Sequence, residues 1–498
     1  MTPSFGGCLK QPSITSMLPP DMAAVDQQDA NCFAWQEFVA LNWRAATNAC
    51  GVPDPGAGPA DFGEPNDTSP VVWETYEEAS QVFKPEAAPP DAWCSTQPLP
   101  ASVRRAPGAA ELKPTSRRGY KTLTMDSKFS ANLPLSLQEF HEAFPNNAWL
   151  TAQNGRLTMY EVRMNEDEFN YIDQNTLYDA KVQKSFVLSS GINLPDGAIE
   201  TKAAWIELDD PSLYSSYKTS QAIVKYPNDP TPHEVTVGLV GLHIIHKTKF
   251  AQQFVWATFE HVGLDPTATD VQNKSFSPPY VYFNPNCDPS TDHYKCQLNT
   301  PPTSTDPYDA PMQVDRVHPI SSSNTDNVAG LNQAMWNLIA GSNPNSVFLN
   351  YQLVDVLWPN MSTSVPAGAT TPLTQGDPQP NPRVQPVNNT SLETYIQQAT
   401  CLDCHASAPI SSAQSQQVLR IATPRRSGGA SAPPTTSTPT YASDYSFLFS
   451  RAQASPSSGG FPTLPVVGGI LGALCLATGG LVYIRRRAVL RSRGEPAG

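Results

Sequence analysis

The run Cys401-Leu402-Asp403-Cys404-His405 holds the residues whose types and spacing speak most directly of chemistry. Two thiols three positions apart can each add across a vinyl group of one porphyrin. The imidazole that follows then reaches the iron from the tethered face. The spacing predicts one covalent haem c, with Cys401 and Cys404 as attachment points and His405 as an iron ligand. The rival reading of a Cys-x-x-Cys pair is structural zinc, which needs four ligands. No second Cys-x-x-Cys or His-x-x-x-His stands nearby to supply them.

A haem has two faces, and the second must be served from upstream, because neither Met nor His follows His405. The candidates for a sixth ligand are His243, His246, His261, His318, Met312, Met335 and Met361, with a preference for the three histidines between 243 and 261. Histidines on apolar strands are more often satisfied core residues. An open sixth position is the alternative, and would turn the chemistry from electron transfer toward peroxide or small ligands.

The elements that must position these groups are read from periodicity. Residues 31–46 place Phe33, Phe38, Leu41 and Trp43 at helical spacing. Residues 135–144 and 166–179 read as helices, and Asn154-Gly155 as the turn of a hairpin between 149–153 and 156–164. Residues 199–208, 234–246 and 254–262 read as strands, the last two forming a central hairpin through the polar turn 247–253. Side chains two apart share a strand face. His243 therefore goes with Gly241 and Ile245, His246 with Ile244, and His261 with Val255, Ala257 and Phe259. Residues 327–340 read as a helix stopped by Gly341, and 347–357 as a strand or one short helix. Thr390 and Glu393 form a capping-box pair, from which a helix is expected to run into the haem motif.

With 498 residues, 39% of them apolar, the chain can bury a sizeable core. Its 50 prolines, about twice the usual share, favour irregular connections over long helices. The fold class expected is α+β: a β-rich, loop-rich body, a haem-bearing C-terminal helix and one transmembrane helix. The domain reading is an irregular segment over 1–30, the body over 31–359, a Pro/Thr/Gln linker over 360–389, the haem-attachment segment over 390–451 and a tether over 452–463. A net charge of −13, with basic clustering only at the C-terminus, excludes nucleic acid as a partner.

Residues 464–484 form a 21-residue stretch without charge, followed by arginines at 485, 486, 487, 491 and 493. That length spans a bilayer and leaves the basic tail 485–498 in the cytoplasm, with the body outside. Gly459 and Gly460 before the span loosely match a bacterial C-terminal sorting signal. The opening MTPSFGGCLKQPS lacks a charged n-region and an apolar h-region, so a start upstream of Met1 is expected. After Cys401, Cys404 and Cys475 are set aside, six cysteines remain, suiting an oxidising compartment and up to three disulfides. Cys287 and Cys296 close a short polar loop; the partners of Cys8, Cys32, Cys50 and Cys94 stay open.

Several stretches, among them FAWQEFVALNW, IETKAAWIEL, VGLVGLHIIHKT, FVWATFEHV and SLETYIQQATCLDCHASA with the later SDYSFLF, make the chain resemble exported bacterial proteins of the cytochrome c family. The resemblance spans about 30 to 451 and implies haem c at Cys401 and Cys404 with His405 as proximal ligand. The function expected is electron transfer by a membrane-tethered protein on the periplasmic side, with a redox partner of unknown kind. The alternatives are a peroxidase- or oxidase-like haem enzyme and a haem-based sensor.

Overall fold

The computed structural model describes residues 8–22, 24, 26–114, 119–123, 148–226, 229, 231–277, 279–288, 296–301, 310–358, 364–370, 386–406, 408–411 and 441–456. The expected helix at 135–144, the membrane span at 464–484 and Met361 lie outside them. Among the described residues no helix is long and apolar enough to cross a membrane. Residues 1–455 fall in one compact unit, so the expected body over 31–359 and the segment over 390–451 belong together.

In chain order the elements are α1 (Gln27–Leu41), β1 (Glu77–Glu78), α2 (Ala79–Val82), α3 (Ala101–Arg104), β2 (Met159–Met164), α4 (Glu166–Gln174), α5 (Ala180–Ser189), β3 (Ile199–Glu207), β4 (Thr219–Lys225), β5 (Pro232–His246), β6 (Val255–His261), α6 (Ala268–Asn273), α7 (Val328–Ser342), β7 (Tyr351–Leu357) and α8 (Cys401–His405). The chain is thus mixed α+β. Its strands form one antiparallel sheet in the order β1-β2-β3-β5-β6-β7, with β4 also on β5. The 15-residue β5 is the centre of the sheet. Its first half pairs with β4 and its second half with β6, while β3 runs along the other side.

The expected hairpin forms as β5 and β6, with Gly241 opposite Glu260, His243 opposite Thr258 and Ile245 opposite Trp256. Both faces of this hairpin are covered, which is why its sequence is almost continuously apolar. One face carries Ile244, His246, Val255, Ala257 and Phe259 into the largest core, with α1 and α7. There Phe38 stacks on Phe259 at 4.3 Å and Trp35 meets it edge-on at 5.1 Å. The other face carries Met164, Ile245, Trp256 and Leu357 into a second core with α4, α5 and the chain around 401–410 and 441–452.

Local signals explain most boundaries. Asp26 caps α1 by accepting from Asp29 N, and Asn165 caps α4 by accepting from Glu168 N. The Asn154-Gly155 turn holds Gly155 at φ +79°, a conformation glycine takes without penalty. Two expectations are corrected. Gly341 does not end α7, which continues to Ser342 and is capped by Asn343. The helix expected from Thr390 into the haem motif does not form; residues 391–400 are turns and α8 is only five residues long.

The physical reason lies in the side chains before the motif. Asn388, Asn389, Thr390, Ser391, Thr394 and Gln397 are all buried, so each must satisfy its polar atoms locally or against the body. Asn389 Nδ2 donates to Phe259 O at 2.7 Å and Gln397 Nε2 to Asp315 O at 2.9 Å. These bonds pin the segment to the sheet at Phe259 and to the loop at Asp315, in a shape a helix cannot match.

The six remaining described cysteines form three disulfides: Cys8–Cys32, Cys50–Cys94 and Cys287–Cys296, with Cα atoms 6.0, 5.6 and 5.7 Å apart. The short-loop pair is the one expected from spacing.

Candidate functional site

The motif folds as α8 because its own residues cap it. Thr400 Oγ1 accepts from Asp403 N at 3.3 Å, and Asp403 Oδ2 accepts from Thr400 N at 2.7 Å. This capping box sits within the motif, not ten residues before it. One helical turn then puts Cys401, Cys404 and His405 side by side, the arrangement that two tethers and one ligand to a single porphyrin require.

His405 is held on two sides by aromatic rings. Trp256 lies at 4.5 Å between ring centroids, tilted by 57°, and Phe447 lies edge-on at 4.9 Å. Its Nδ1 stands 2.8 Å from the carbonyl oxygen of Tyr445. A carbonyl can only accept, so Nδ1 carries the proton, and the neutral ring keeps its lone pair on Nε2. Metal-binding histidines are commonly prepared in this way.

The carbonyl is aimed by an unusual turn. Asp444 and Tyr445 both have left-handed backbones, at φ 52° and 68°. Two consecutive non-glycine residues in that region are sterically unfavourable and persist only where surrounding contacts over-determine them. Those contacts are visible: Asp444 Oδ2 accepts from Leu194 N at 2.7 Å and from Lys247 Nζ at 2.6 Å, while Ser443 Oγ donates to Ala408 O and Ser446 O.

Cys401 and Cys404 remain thiols, although the other six described cysteines are paired. Cys401 is half-buried, packed at the edge of the second core with Leu402 and Ala406. Burial, followed by the nearby Glu393 carboxylate and Cys404, pushes its thiol well above the usual range. Among the described residues no group of three or more His, Cys, Asp or Glu side chains could hold a metal ion. The turn thus presents two cysteine side chains outside any disulfide beside one tautomer-fixed imidazole that packs against Trp256 and Phe447.

The sheet sorts the sixth-ligand candidates. His246 and His261 lie on the face opposite the motif. His246 Nδ1 is bonded to the buried Glu37 and its ring stacks on Phe33. His261 has Nε2 3.1 Å from Ser216 O, accepts from Gly263 N at Nδ1 and stacks on Tyr217 at 4.1 Å. Burial pushes it down to about 4, so it is a neutral core residue. Met335 is fully buried in the core shared with α1. Met312 packs at the edge of a third cluster around Tyr160 and Tyr282.

Two histidines lie on the motif's side. His318 is half-buried, with Nε2 3.1 Å from Gln398 Oε1, in a polar cleft lined also by Arg316, Asp355, Asn388 and Gln397. His243 is 8% exposed and its Nε2 stands 3.2 Å from Glu393 Oε2.

Sequence spacing did not reach Trp256, Phe447 or the Tyr445 carbonyl, which come from distant elements that no local pattern marks; Glu393 was expected only as a capping-box partner. Comparison with family models, with curated proteins and with solved structures found no match. Fold and site together define a mixed α+β protein that presents a Cys-x-x-Cys-His turn on one face of an antiparallel sheet.

Proposed function

We propose that this chain is a c-type haem protein that carries single electrons outside the cytoplasm, tethered to a membrane by residues 464–484. The observation that supports the reading is the hydrogen bond from His405 Nδ1 to Tyr445 O, which puts the ring proton on Nδ1, the arrangement common among metal-binding histidines. Three disulfides support an oxidising compartment. The likeness to exported cytochrome c family proteins belongs to the same proposal.

Bound haem would supply reversible one-electron chemistry at iron. The chain's own residues do the rest. Cys401 and Cys404 would hold the haem covalently, and His405 would bind its iron. The Tyr445 carbonyl fixes the His405 tautomer and raises its basicity. Trp256 and Phe447 hold the imidazole plane and exclude water beside it.

The test is expression of the full chain in cells that mature haem c, followed by denaturing electrophoresis with haem staining. Wild type is expected to retain covalent haem, and Cys401→Ser with Cys404→Ser to lose it. Wild type without covalent haem overturns the reading.

A further inference from the structure

His243 is the histidine that the structure leaves in an arrangement without an evident structural purpose. It lies on the face of β5 that receives the motif, paired across to Thr258, two residues along from the Ile245–Trp256 pair, whose Trp256 packs on His405. It is buried, yet its Nε2 has no aligned hydrogen-bond partner. What faces that nitrogen is the Glu393 carboxylate, 3.2 Å away and off the line of a hydrogen bond. Glu393 Oε2 also accepts from Asn389 N at 3.0 Å, which holds the carboxylate in place beside the ring.

This juxtaposition has a chemical meaning. An imidazole whose one nitrogen faces a fixed carboxylate keeps its other nitrogen deprotonated and electron-rich, the condition in which histidines bind metals. A core histidine is normally satisfied by aligned bonds, as His246 and His261 are. His318, the other histidine on this side, is half-exposed and already bonded through Nε2 to Gln398.

We infer that His243, oriented by Glu393, is the second axial ligand, so that the iron is bound by two histidines, one from α8 and one from the sheet beneath it. The inference rests on the haem reading proposed above. It assigns a role to the long central strand: β5 carries the group that closes the iron's second face, and the buried turn 389–393 carries the anion that tunes it. An iron closed on both sides exchanges electrons and does not admit peroxide or gases.

Absorption and electron paramagnetic resonance spectra of the purified, covalently haem-loaded full chain test this. Wild type is expected to be low-spin in both oxidation states and insensitive to carbon monoxide. His243→Ala is expected to become high-spin and to bind carbon monoxide, with added imidazole restoring the low-spin spectrum. Glu393→Gln keeps the ring but removes the anion; it is expected to stay low-spin with a raised reduction potential, which also covers the case of an unstable His243→Ala. Covalent haem with a high-spin wild type, or with an unchanged low-spin spectrum in His243→Ala, overturns the ligand assignment alone. A Glu393→Gln potential equal to wild type also counts against it. Missing covalent haem in wild type overturns the haem reading and this assignment together.

Discussion

Gly241 offers the sharpest test of how the sheet holds the site. A Cβ at this position would stand 2.2 Å from Ser391 Oγ, 2.8 Å from Asn389 Oδ1 and 3.0 Å from Asn389 Nδ2. Those atoms cannot swing aside. Ser391 Oγ donates to Asn389 Oδ1 at 2.6 Å, and Asn389 Nδ2 donates to Phe259 O at 2.7 Å and Thr258 Oγ1 at 3.2 Å. Gly241→Ala must lift residues 389–391 off the strand. Overpacking costs about 2 kcal/mol, and losing two buried hydrogen bonds adds about 1 kcal/mol each. The sum, about 4 kcal/mol, corresponds to roughly a thousandfold change in a local opening equilibrium. Hydrogen exchange read by mass spectrometry measures it: peptides covering 389–397 should exchange roughly a thousandfold faster, with β3 and β5 amides much less affected. Gly341→Ala is the control, since nothing lies within 4 Å of its Cβ and it sits in a helix; it should be neutral or slightly stabilising. Exchange at 389–397 within about threefold of wild type would refute the argument that this turn is locked against β5.

Two further outcomes follow from the same geometry. His246→Ala should cost about 3–5 kcal/mol at pH 7, because it leaves the fully buried Glu37 without its partner. Chemical denaturation reads the loss, and an unchanged haem spectrum in the same variant checks that His246 serves the opposite layer. The pair Glu168 and Glu200 makes stability depend on pH: burial raises both, Glu200 to about 7. Protonation then favours the folded state, so this contribution is complete below the ordinary carboxyl range and is lost as pH rises through about 7. Denaturation midpoints should fall between pH 5 and 8, and Glu200→Gln should flatten that fall; a midpoint rising over this range in wild type would contradict the assignment.

The sequence by itself determined what is local. Cys-x-x-Cys-His sets two cysteines and an imidazole on one turn through spacing alone. The β5–β6 hairpin follows from two apolar runs and a polar turn, and the Cys287–Cys296 bridge from a short loop. Strand parity even placed His243 and His246 on opposite faces of one strand, because successive side chains point to opposite faces. What parity cannot say is which face the C-terminal segment covers, more than a hundred residues later in the chain. The tertiary structure decided that through Asn389 on β6 and Trp256 against His405. It also replaced the expected helix over 391–400 by pinned turns, since buried Asn, Ser, Thr and Gln side chains bond the body more favourably than a helix could. The tautomer of His405 was likewise not legible in the motif. It depends on one carbonyl, turned toward the ring by two left-handed residues forty positions on.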